Sequence, residues 1–179
     1  MTELADIIRN ANANALEDVH TCAPGRVVSV NGGRVNVKPL LNRRLRDGRT
    51  EEMPVVPDIP VWFPSGGGAS ITWPISAGDG CLLIFAERSI DEWKGSFDEE
   101  APDDPRRHQL ADAIALVGLK PNMEPGQGIV LTMGGVTLTV SDGGVAIEGG
   151  QVTHNGVNIG SDHVHGGVVA GGSDTQVPQ

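Results

Sequence analysis

The chain has 179 residues, of which 13 are basic and 23 acidic, giving a net charge of −10, and it contains only two cysteines. That balance disfavours nucleic acid and anionic membrane surfaces as partners, because both need Lys or Arg to neutralise phosphate. There is no apolar run of about 18 residues and no basic start followed by an apolar core, so neither a membrane span nor a signal peptide is expected. Synthesis in the cytoplasm follows as an expectation, with Cys22 and Cys81 as buried free thiols in apolar strands.

Residues 2 to 20 place Leu4, Ile7, Ile8, Ala11 and Ala15 at helical spacing behind Thr2, which predicts an amphipathic helix ended by Pro24 and Gly25. From there the pattern becomes β. "GRVVSV", a turn at Asn31-Gly32-Gly33 and "RVNVKPLL" predict a hairpin. "VVPDIPVWF", "ASITWPI" and "GCLLIFAE" supply three further strands, separated by Gly66 to Gly68 and by "SAGDG". Five short strands joined by short loops suggest a small barrel of the oligonucleotide/oligosaccharide-binding (OB) type.

Next comes "ERSIDEWKGSFDEEAPDDPRRHQLADAIALVGLKP", with Pro102 and Pro105 in its middle. It predicts a short helix over Ser89 to Lys94, a loop and a short apolar segment. Its acids, Arg106, Arg107 and His108 are expected to be caps and salt bridges that fix a linker against the barrel.

All 13 basic residues precede position 121, while 14 of the 25 glycines follow Lys120, so a domain boundary is placed near Pro121 to Gly128. Beyond it the apolar residues alternate (Val136, Leu138, Val140; Val145, Ile147; Val157, Ile159), with glycine pairs at 134/135, 143/144 and 149/150 as turns. These pieces are too short to bury a core from one chain. A unit that cannot cover its apolar face alone stacks on copies of itself, which predicts an intertwined homotrimer. In the tail, His163 and His165 stand one residue apart and project to the same side of an extended strand. Two imidazoles rarely hold a metal alone, so other ligands must come from elsewhere in the chain or from other copies.

Three stretches in order, "PGRVVSVNGGRVNVKP", the segment beginning "ERSIDEW" and "HVHGGV", give the chain a resemblance to the membrane-piercing central spike proteins of contractile-tailed bacteriophage baseplates. The resemblance implies a mainly β protein: a trimeric OB collar, an intertwined triple-stranded β-helix and a pointed tip. It divides the chain into an N-terminal helix (1–22), an OB-fold barrel (23–88), a linker with a short helix (89–121), a trimeric β-helix spike (122–160) and a metal-binding tip (161–179). In that family His-x-His pairs from three chains hold one iron ion per trimer, and His163 and His165 match the motif. Six imidazole nitrogens around one ion leave no open position, which points to structure and not catalysis.

The resemblance also implies a virion component at the tail baseplate tip, a baseplate hub protein above the OB domain, the host outer membrane as target, and no enzymatic activity. His154, His20 and His108 are expected to be structural. Trp62, Phe63, Trp73, Phe85 and Trp93 are expected in the barrel core or trimer interface. Arg43, Arg44, Arg46 and Arg49 form a basic loop suited to docking on the hub. Two other functions compete. A cupin-like metal enzyme needs further ligands after the histidine pair, but Asp174 is the only ionisable side chain beyond His165. An OB module binding sugar or single-stranded nucleic acid needs a basic or aromatic groove, and the arginine loop is the only basic patch.

Overall fold

The computed structural model describes residues 2–17, 19–45, 47–96, 99, 101–126, 128–161 and 171. The protein is mainly β and divides into two units, Met1–Asn122 and Met123–Gln179. The division falls where the basic residues end.

In the first unit, helix α1 (Thr2–Glu17) precedes strands β1 (Cys22–Asn31) and β2 (Arg34–Pro39). Pro24 and Gly25, read from sequence as the helix stop, lie inside β1. A turn with Gly32 at φ 60° joins β1 and β2, a conformation glycine adopts without strain. The arginine loop forms a two-stranded ribbon, β3 (Arg43–Arg44) with β4 (Thr50–Glu51), ahead of β5 (Val56–Pro60). A tight hairpin of β6 (Ser65–Gly66) and β7 (Ala69–Ser70) then leads to β8 (Gly80–Phe85). The expected strand "ASITWPI" is reduced to β7: past Ser70 its residues are mostly exposed and enter no sheet, and Pro74 has no N–H to give a ladder.

After β8 the chain leaves the sheet, forms α2 (Trp93–Ser96) and returns as β9 (Ala113–Val117). The segment 89–121, expected as a linker with a short helix, thus contains both α2 and β9. Its end is the fifth strand of one antiparallel sheet, in the order β5-β2-β1-β8-β9. The sheet curls into a half-barrel, and at its seam Val61 bridges Ala115 in parallel while the Trp62 N–H donates to the Ala115 carbonyl at 3.0 Å.

Register explains the core. The cross-strand rows Ala23–Leu83–Ala115 and Gly25–Cys81–Val117 face inward, joined by Phe85, Val27, Val35, Val37, Val56 and Ile59. Burial pushes the Cys81 thiol up to about 11, so this cysteine is inert at neutral pH. Cys22, expected to be buried as well, lies in the opposite row of β1 and is exposed.

Gly25 is a close-packed point of this core, because a Cβ there would stand 2.6 Å from Val37 Cγ1 and 3.0 Å from Cys81 Sγ. Gly25→Ala is expected to cost about 1–3 kcal/mol through overpacking. Urea unfolding followed by tryptophan fluorescence measures this, since Trp62, Trp73 and Trp93 all lie in the first unit.

The second unit is a three-stranded meander, β10 (Ile129–Met133), β11 (Val136–Ser141) and β12 (Gly144–Glu148), followed by a small hairpin of β13 (Thr153–His154) and β14 (Val157–Asn158). Asn155 and Gly156, at φ 48° and 79°, make the hairpin turn that an Asn-Gly pair favours.

Candidate assembly interface

Cross-strand partners in an antiparallel sheet project to the same face. In the meander, Ile129 pairs with Val140, Leu131 with Leu138 and Met133 with Val136. Leu138 also pairs with Ile147, and Val140 with Val145. One face of the sheet therefore carries Ile129, Leu131, Met133, Val136, Leu138, Val140, Val145 and Ile147, all of them apolar. The opposite face carries Val130, Thr132, Thr137, Thr139, Ala146 and Glu148. This is the alternation of a sheet covered on one side. Within its own unit the face is largely uncovered: Leu131 is 57% exposed, Ile147 44%, and Leu138 at the centre is only partly buried.

The first unit has a second surface of this kind. The outward rows of β1, β8 and β9 are Cys22–Ile84–Ile114 and Pro24–Leu82–Leu116, without a polar side chain among them. Strands apolar on both faces are normally covered on both, yet Ile84 is 41% exposed. Trp62, adjacent to the Val61–Ala115 bridge, is 51% exposed. The aromatic residues expected in the barrel core or the trimer interface are therefore split. Phe85 is in the core, Trp62 and Trp73 are exposed, and Phe63 meets Trp73 edge-on at 4.9 Å.

The excursion between β8 and β9 is held by one guanidinium. Arg106 donates from Nε and Nη2 to the two Asp112 oxygens at 2.8 and 2.7 Å, from Nη2 to Asp91 at 2.5 Å and from Nη1 to Asp104 at 2.8 Å. Asp112 is fully buried and accepts the Ile90 N–H as well, while its carbonyl accepts the Ala86 N–H. Hydrogen bonding from Arg106 holds Asp91 below the usual carboxylate range, with smaller contributions from charge; Asp104 is lowered first by the Arg106 backbone N–H. Lys94 bonds Asp91 and the Ala111 carbonyl, and Arg34 on β2 bonds the Lys94 carbonyl. Asp91, Arg106 and Asp112 belong to the "RSIDEW" and "RRHQLADA" stretches, and the cluster is a structural lock in which Asp91, Asp104 and Asp112 are each paired with a cation.

His163, His165 and Asp174 lie outside the described residues, as does Arg46 of the basic loop. His154 is exposed in the β13–β14 hairpin. Among the described residues no group of three or more His, Cys, Asp or Glu side chains is placed to hold a metal ion. Arg43 and Arg44 sit on the exposed ribbon, and Arg49 pairs with Asp47 at 2.6 Å. No helix among the described residues is long and apolar enough to cross a membrane.

The first unit is thus a curled β domain that runs from β1 through β9, with the locked excursion inside it. The model of the family described as phage protein Gp138 N-terminal domain matches residues 23–118, which is more than half of the 179 residues. The chain belongs to this family and is a bacteriophage protein. The match starts one residue into β1 and stops one residue past β9. No curated protein matches the sequence significantly.

Proposed function

We propose that this chain is the central spike of a contractile-tailed phage baseplate: three copies join an OB-type collar, built from the curled sheet, to a triple-stranded β-helix built from the glycine-punctuated second unit. The uncovered apolar face of β10 to β12 carries this reading. A sheet with eight apolar side chains on one face and a mixed face of threonine, valine, alanine and glutamate on the other is a third of a structure, and identical copies supply the same chemistry around an axis.

The role is mechanical, with no catalysis. Sheath contraction supplies the work, and a stiff acidic needle passes through the host outer membrane. Interchain winding gives stiffness, because no chain leaves without breaking its ladder bonds. The net charge of −10 fits a protein without nucleic-acid partners. The arginine ribbon is suited to docking on a hub protein above the collar. At the tip, His163 and His165 of three chains would hold one iron ion, a closed set of six imidazoles that staples the chain ends together.

Native mass spectrometry of the intact protein tests the reading. Three chains with one iron-sized ion are expected. A monomer carrying a metal would return the histidine pair to an enzyme site within one chain. Replacing both His163 and His165 with alanine is expected to abolish the metal and keep the trimer, because the apolar sheet face supplies most of the association.

A further inference from the structure

Helix α1 lies along no strand of its own unit: Leu4 is 66% exposed and Ile8 53%. Isolated helices of about this length are marginal in water, and most helical stability comes from packing one apolar face. The asparagines at 10, 12 and 14 weaken it further. Something must cover this helix, and its own residues say what.

Leu4, Ile8, Ala11 and Ala15 repeat at intervals of four, three and four, the d-a-d-a seam of a heptad. The flanking e and g positions hold Ala5, Ile7, Asn12 and Asn14, none charged. Within this span the charged residues Asp6 and Arg9 fall at f and b, as does Glu3 at c just before it; Asp6 and Arg9 pair with each other at 2.8 Å on that outer face. Helices that meet unlike partners commonly select them through e and g charges. A face four positions wide, uncharged throughout and narrowed by alanine toward its C-terminal half, complements an identical face. The helix also leads through Val19, 42% exposed, into Cys22 at the head of the outward apolar row Cys22–Ile84–Ile114.

We infer that α1 packs against α1 of two other copies as a parallel three-helix bundle heading the molecule, a second self-association element independent of the tail. The inference rests on the three-fold association proposed above. In the full-length chain carrying Cys22→Ser, Ala11→Cys places a thiol on the seam and Ala13→Cys places one at an outer f position. Both variants exchange the same residue type, so they differ only in where the thiol stands on the helix. Under mild copper-phenanthroline oxidation, the Ala11→Cys trimer is expected to form disulfide-linked dimers at least tenfold faster than the Ala13→Cys trimer, with native mass spectrometry reporting subunit number on the same samples. Trimers in which the two variants cross-link equally, or not at all, overturn the bundle and leave the spike reading standing. Monomers overturn both.

Discussion

Arg106→Ala is expected to destabilise the first unit by about 3–5 kcal/mol, the cost of leaving a buried carboxylate without its cation. Asp112 is fully buried, and after the substitution the Ile90 N–H is the one donor left on its oxygens among the described residues. Asp91 keeps Lys94, and Asp104 keeps only backbone donation. The loss is read from urea unfolding by tryptophan fluorescence at neutral pH. Arg106→Lys is expected to recover part of it, because an ammonium restores charge but cannot form the two-pronged contact with Asp112. A cost below about 1 kcal/mol for the alanine variant would show that the excursion is held by something else.

The same network sets a pH dependence. Asp91 and Asp104 titrate lower in the folded chain than in the unfolded one. Groups with depressed folded pKa values contribute fully above their unfolded value, about 3.9, and lose that contribution as pH falls through the folded value. The gap between the native chain and Arg106→Ala is therefore expected to narrow in acid below about pH 4. Both carboxylates are about half exposed, so solvent screening keeps this part small beside the burial term.

Leu138→Asp is expected to dissociate the proposed trimer. Leu138 is on the central strand of the meander, flanked by Leu131 and Ile147 on the same face. In a single chain the position is partly open, and a carboxylate there stays hydrated. In an assembly that covers the face, each copy buries an unpaired charge at a cost on the order of 3–5 kcal/mol, incurred once per chain. Thr139→Asp, one residue away on the opposite face, is the matched control and is expected to leave the assembly intact. Sedimentation velocity distinguishes the two. If the variants behave alike, the apolar face is not the surface that associates.

How far residues announced structure depended on whether their partners were local. The β1–β2 hairpin is legible from Asn31-Gly32-Gly33, and the meander from glycine pairs between alternating apolar residues, because a turn and its strands adjoin in sequence. Strand β9 escaped notice because "AIALV" shows no alternation and follows a long charged excursion, so only its pairing with β8 reveals it. The apolar run at Ile71 to Ile75 misled for the converse reason, since composition suggested a strand where no ladder partner exists among the described residues. Cys22 shows the limit of reading burial from apolar neighbours: strand phase puts it on the outer row.

The interface followed the same rule. Alternation alone pointed to the one-sided apolar sheet of the second unit, whereas the outer rows of β8 and β9 needed register. Ion pairs in the "ERSIDEW" segment were expected as a type of interaction. That a single guanidinium would gather three aspartates from both ends of the segment was not legible, because it depends on how the excursion folds back.

The late return of β9 has a consequence for how the chain acquires its shape. β1 must find β8 with partners 54 to 62 residues apart, and the seam from Val61 to Ala115 spans a similar distance, so nearly every pairing that closes the half-barrel is non-local. Such topologies fold on the millisecond-to-second scale, because loop-closure entropy is lost before contacts repay it. By joining Asp91 to Asp112 through Arg106, the lock shortens the last of these closures. It is accordingly expected to speed folding as well as slow unfolding, and to limit how long an unclosed apolar sheet stays open to other chains.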